Sequence, residues 1–138
     1  MEQHLLLSYQ FSTMKILVVD DERDIQTLFE QRFRKEIRNA EMNFVFAFSG
    51  EEALQYMQAN EHEAVLILSD INMPGMNGLE LLKRIKSKYA TPPPIVMMIT
   101  ANGDDDNYQA AMKLGADDFL TKPVDFAYLK EKLKNLEV

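Results

Sequence analysis

The sequence predicts an α/β fold in which strand and helix alternate five times, (βα)5, with helices on both faces of a parallel sheet. Two observations carry this. Residues 16–19, 44–48, 65–68 and 95–99 are short runs that are apolar throughout, as strands buried on both faces require. Between and after them, apolar residues recur at three- and four-residue spacing, the mark of helices with one buried stripe. Buried strands that alternate with amphipathic helices imply right-handed crossovers and a doubly wound sheet. The strand order chosen is 2-1-3-4-5, which sets strands 1 and 3 side by side where the winding reverses.

The elements follow in order. Residues 1–13 show no period, and Met14 stands directly before the first strand. This leader is expected to be mobile, with the folded domain running over residues 14–138. Lys15-Ile16-Leu17-Val18-Val19 is strand 1 and ends in Asp20-Asp21-Glu22. Ile25, Leu28, Phe29, Phe33 and Ile37 place the first helix. After strand 2, Ser49-Gly50-Glu51-Glu52 has the Ser-x-x-Glu form of a capping box and opens a helix through Ala53, Leu54 and Met57. Strand 3 reaches Asp70, and Pro74-Gly75 and Asn77-Gly78 then turn the chain into a loop. Leu79, Leu82, Ile85 and Tyr89 share one face of a third helix, which Thr91-Pro92-Pro93-Pro94 ends. Strand 4 ends in Thr100, and a polar loop over 102–106 leads to a fourth helix that Gly115 closes. Asp118-Phe119-Leu120 is a short fifth strand running into Thr121-Lys122-Pro123, and the last helix turns Phe126, Leu129, Leu133 and Leu136 inward.

Composition excludes several functions. A chain of 138 residues, 46% hydrophobic, suits one domain with a real core. It has no cysteine, so disulfides and thiolate metal sites are excluded, and a reducing, cytoplasmic location is expected. No apolar run approaches the roughly 20 residues of a membrane span, and Leu5-Leu6-Leu7 lacks the basic flank of a secretory signal. A formal net charge of −7 argues against direct binding of nucleic acid. His4 and His62 fall in leader or polar segments and are given no role.

In this topology the C-terminal strand ends converge. Strand 1 delivers Asp20 and Asp21, strand 3 Asp70, strand 4 Thr100 and strand 5 Lys122. Two carboxylates about 4 Å apart repel by roughly 4 kcal/mol at an effective dielectric of 20, so three together call for a cation. An all-oxygen donor set without His or Cys suits a hard ion, best Mg²⁺ with retained waters. Lys122 adds a fixed positive charge and Thr100 a hydroxyl donor. Together they outline a pocket for a phosphoryl group in which Asp70 is the nucleophile. Read singly, Asp20-Asp21 could cap the first helix and Phe119 could be plain core; the joint pattern favours the pocket. Met73 and Met76 are placed in the loop beside it.

Four motifs, Val18-Val19-Asp20-Asp21-Glu22, Ser69-Asp70-Ile71-Asn72-Met73-Pro74-Gly75-Met76-Asn77-Gly78, Ile99-Thr100-Ala101 and Leu120-Thr121-Lys122-Pro123, occur in order at strand ends. On them the chain resembles the response-regulator receiver domains of two-component signalling, over residue 14 to about residue 136. The resemblance implies a flavodoxin-like sheet of order 2-1-3-4-5. It implies that Asp70 is the phosphoacceptor and that Mg²⁺ is held by Asp20, Asp21, Asp70 and the backbone carbonyl of Asn72. Thr100 becomes the switch hydroxyl, with Ala101 beside it in the phosphoryl-binding region. Lys122 becomes the family's lysine, with a cis Lys122–Pro123 peptide, and Phe119 the switch aromatic. Asn72 and Asn102 flank the path of the hydrolytic water.

The resemblance further implies a phosphorylation-controlled switch rather than an enzyme with a separate substrate. It catalyses only its own aspartyl phosphorylation and dephosphorylation. The implied donor is a histidine kinase or a phosphotransfer protein. The surface of the fourth helix, fifth strand and last helix would then change toward an output partner or domain, or toward a phosphorylation-dependent homodimer. Three other readings are weaker. A haloacid-dehalogenase-like phosphatase needs Asp-x-Asp after its first strand, where this chain has Asp20-Asp21-Glu22. A flavin module needs a Ser/Thr-rich loop there. A constitutive interaction module of the same fold would have no need of the complete set of site residues.

Overall fold

The computed structural model describes residues 13–61, 66–89, 94–101 and 103–136. The leader up to residue 12, Val65, the stop at 91–93, His62 and Asn102 therefore lie outside the described residues. The strands are β1 (Met14–Val19), β2 (Met42–Ala47), β3 (Leu66–Asp70), β4 (Ile95–Ala101) and β5 (Asp118–Lys122). The helices are α1 (Asp24–Arg32), α2 (Arg34–Arg38), α3 (Gly50–Ala59), α4 (Gly78–Lys88), α5 (Asp105–Lys113) and α6 (Phe126–Lys134). All strand pairs are parallel and the order is β2-β1-β3-β4-β5, as the sequence predicts.

Alternation along the strands divides the core between the two faces. Leu17, Val19, Ile67, Val96 and Met98 pack on one side with Ala53, Leu82 and Ile85 of α3 and α4. Ile16, Val18, Leu66, Leu68 and Met97 pack on the other with Phe29, Phe33, Leu129 and Leu133. Aromatic rings dominate this second side: Phe29 meets Phe126 edge-on at 5.1 Å, and Phe33 lies 4.9 Å from Phe44.

Local signals place most boundaries. Gly115 has φ +94°, and the Gly115 and Ala116 amides bond back to Met112 and Ala111, so α5 ends in a glycine-closed Schellman turn. Ser49 accepts from the Glu52 amide at 3.0 Å. The Glu52 carboxylate reaches one residue further than the usual capping box and accepts from the Phe48 amide at 2.8 Å. β2 starts two residues earlier than expected and stops at Ala47, leaving Phe48 outside.

The first helix departs from expectation. The single helix expected from Ile25 to Ile37 is two helices, broken at Phe33 (φ −107°, ψ 21°). At the break the Arg32 carbonyl accepts from Lys130 Nζ of α6 at 3.1 Å, and a side chain bonded into the helical ladder bends it there. The bend turns Ile37, expected inside, to 37% exposure and buries Glu36 instead. Lys130 and Lys134 reach the Glu36 carboxylate at 3.3 and 3.5 Å, which makes the buried charge tolerable.

Burial by itself would push the Glu36 carboxyl up. Its backbone hydrogen bond and the two lysines outweigh this and hold it below the ordinary 4.5. A depressed carboxyl stabilises the fold fully above its unfolded value, and that contribution is lost as pH falls through the lower folded value. Glu36→Gln is therefore expected to cost about 1–3 kcal/mol at pH 7, as loss of hydrogen bonds to charged partners does. The deficit should shrink at acid pH, read as urea midpoints at both conditions.

Candidate functional site

The parallel sheet brings one end of every strand to the same edge. Asp20 directly follows β1, Asp70 is the last residue of β3, Thr100 the penultimate residue of β4 and Lys122 the last of β5. All of these except Lys122 are buried: Asp20 is 6% exposed, Asp70 3% and Thr100 1%. Asp21 is half-buried beside them. One carboxylate oxygen from each of Asp20, Asp21 and Asp70 lies within 4.8 Å of the others. Lys122 Nζ donates to Asp70 Oδ2 at 3.0 Å and stands 4.0 Å from Asp20 Oδ2. The Lys122–Pro123 peptide is cis, and Ala101 lies opposite Lys122 in the sheet.

Burial pushes the Asp20 carboxyl up. The Glu22 amide, bonded to Asp20 Oδ1 at 2.9 Å, opposes this, while Asp70 adds to it and Lys122 offsets. Burial would lower the Lys122 ammonium. The Asp70 hydrogen bond and the charges of Asp70, Asp20 and Glu22 outweigh that and raise it, so Lys122 stays protonated. Three carboxylates against one ammonium leave an excess of negative charge in a largely buried site. The donors are all oxygens, with no His or Cys among them, and this set fits a hard divalent cation. Thr100 Oγ1 is buried with no hydrogen-bond partner, a donor held without an acceptor.

The loop after β3 is held by contacts that the sequence did not disclose. The Ile71 amide bonds to the Ile99 carbonyl at 3.0 Å, and the Gly78 amide bonds back to the Ile71 carbonyl at 2.7 Å. Gly78 lies so close to Asp70 that a Cβ there would overlap the Asp70 carbonyl oxygen and stand 2.7 Å from Ile71 Cα. Asn77-Gly78 reads in sequence only as a turn signal; close approach to Asp70 is what demands glycine. Asn77 also caps α4, accepting from the Glu80 amide at 2.9 Å. Met73 is buried in the core, and Met76 packs against Gly50 of α3. Ser69, which enters the sequence motif without a role, is buried beside Asp70 and donates to its carbonyl at 3.0 Å. Asn72 is exposed in the loop. Phe119 is half-buried, with Tyr108 of α5 edge-on at 4.9 Å.

Comparisons with known proteins bear on the family and the fold. The family model described as the response regulator receiver domain matches residues 16–134. The transcriptional regulatory protein CpxR of Escherichia coli K12 is 33% identical over 120 residues, 87% of this chain and 47% of that protein. CpxR of Klebsiella pneumoniae is 35% identical over 121 residues, again 87% and 47%. The chain thus spans about half the length of these relatives. Among solved structures, a receiver domain protein from Clostridium thermocellum superposes with TM-score 0.75 at 32% identity, covering 88% of this chain and 91% of that one. The chemotaxis protein CheY4 of Vibrio cholerae does so with TM-score 0.76 at 26% identity, covering 91% and 100%.

Gly78→Ala is expected to destabilise the protein by about 3 kcal/mol, since backbone atoms must give way; urea unfolding reads this. Asp20→Asn is expected to raise the urea midpoint at pH 7 in chelator, because it removes a charge that burial and Asp70 disfavour.

Proposed function

Because the chain belongs to the response regulator receiver domain family, we propose that it is a phosphorylation-controlled switch with Asp70 as phosphoacceptor. The observation that carries this reading is the buried Asp70 carboxylate, bonded to Lys122 at 3.0 Å and grouped with the Asp20 and Asp21 carboxylates. In the transfer, an Asp70 carboxylate oxygen forms a bond to phosphorus as the phosphorus–nitrogen bond of a phosphohistidine breaks. The imidazole leaves with that electron pair. The donor is a histidine kinase or a phosphotransfer protein. Lys122 neutralises charge that develops on the phosphoryl oxygens, in a site where burial strengthens the effect. Asp20, Asp21, Asp70 and the Asn72 carbonyl would hold Mg²⁺, which when bound supplies further neutralisation of that charge. Water entering past Asn72 reverses the modification by hydrolysis, so the only turnover is of the protein's own aspartyl phosphate.

The buried Thr100 hydroxyl gains an acceptor once a phosphoryl oxygen arrives, and Ala101 lines the same region. A Thr100 shift toward the phosphoryl group opens space for Phe119 to turn inward, which alters the surface of α5, β5 and α6. This is a bias between two conformations of the domain, set by the new charge. The changed surface addresses an output partner, an output domain or a second phosphorylated copy, in the cytoplasm where such donors act.

Incubation with acetyl phosphate and Mg²⁺ is expected to add one phosphoryl group by intact mass. The adduct should be lost in base and absent in chelator and in Asp70→Asn. An adduct that persists in Asp70→Asn would overturn the assignment.

A further inference from the structure

β2 is the outer strand of the sheet and pairs among the described strands with β1 alone. The flanking bonds from the Met14 amide to the Glu41 carbonyl and from the Asp20 amide to the Ala47 carbonyl set the parity of the pair. Odd residues of β2 turn their amide and carbonyl toward β1. Those of Met42, Phe44 and Phe46 therefore point outward. Monomeric proteins block such an edge with charges, prolines or bulges. Residues 42–50 contain no charged residue and no proline, although the whole chain carries −7. The run Met-Asn-Phe-Val-Phe-Ala-Phe from 42 to 48 is rich in aromatics and has no glycine, the composition that favours strand pairing.

A cleft opens beside this edge, between Glu30 and Ile37 of the bent first helices and Met42, Asn43 and Phe44 of the strand. Its volume is about 290 Å³, enough for an aromatic side chain. Ile37, turned outward by the bend at Phe33, forms part of its wall.

We infer that the outer edge of β2 is a self-association surface, on which a second copy of this chain adds its own β2 antiparallel and joins two five-stranded sheets into one. Antiparallel pairing centred on Phe44 sets the outward-facing residues of the two copies opposite one another, Met42 against Phe46 and Phe44 against Phe44. Residues that share parity share a face of the sheet, so Phe46 of each copy falls beside the cleft of the other. Glu41 then faces Ala47 rather than a like charge, and the approach runs along an uncharged strip of an otherwise acidic protein. A second copy fits better than a foreign strand because one twofold axis satisfies both edges and sets a phenylalanine beside each cleft. The edge is the far side of the sheet from β5, so the inference stands apart from phosphorylation.

The test is sedimentation of the full chain from low micromolar to near-millimolar concentration, with amide exchange of β2 followed across the same range. A reversible dimer is expected, with the Met42, Phe44 and Phe46 amides slowing as concentration rises. The Asn43, Val45 and Ala47 amides, already bonded to β1, should not change. Asn43→Lys, an exposed position, puts a lysine on the edge and is expected to weaken the dimer by roughly tenfold or more. Gln109→Lys, on α5 at the far side, should leave it unchanged. A monomer at every concentration overturns the inference, whether or not its outward amides are already protected, as does a dimer indifferent to Asn43→Lys.

Discussion

Three carboxylates share one end of an apolar sheet, and a single lysine stands against them. That electrostatic constraint shapes the rest of the fold. A parallel sheet must place all its C-terminal strand ends together, so acids that follow β1 and end β3 are forced into proximity whatever their mutual repulsion. The fold answers with Lys122 from β5, with the Glu22 amide on Asp20 and with a donor set that suits a divalent cation. The site therefore concentrates negative charge in a largely buried place, offset by few partners.

Rigidity comes from backbone contacts around Asp70. The Asp70 carbonyl accepts from Ser69 on one side and abuts Gly78 on the other, while the Ile71 amide is tied to β4. Asp70 cannot drift relative to Thr100 without breaking these. The α1, α2 and α6 side of the sheet supplies bulk through stacked phenylalanines, and one buried glutamate bonded to two lysines links α2 to α6. Any rearrangement that reaches the end of α6 has to move against that link.

Much of this was legible in the chain. Four of the five strands announce themselves as continuous apolar runs, Gly115 as a helix terminator and Ser49 as a cap, because each of these is a local property of a few neighbouring residues. The site was legible too, since Asp20, Asp70, Thr100 and Lys122 all end predicted strands and the topology alone collects them. The first helix reads as one element because its apolar spacing is continuous through Phe33. Only the approach of Lys130, far along the chain, bends it and exchanges Ile37 for Glu36 in the interior.

By itself the sequence determined the alternation of strand and helix, the parallel sheet and the identity of the residues gathered at one sheet edge, since period and punctuation are encoded locally. The tertiary structure decided which of these residues touch. The Lys122–Asp70 bond joins positions 52 residues apart, Gly78 is required by the Asp70 carbonyl rather than by its own turn, and the cleft beside β2 lies between that strand and the bent first helices. Each depends on distances between segments that meet only once the sheet has formed, and no pattern within either segment encodes that distance.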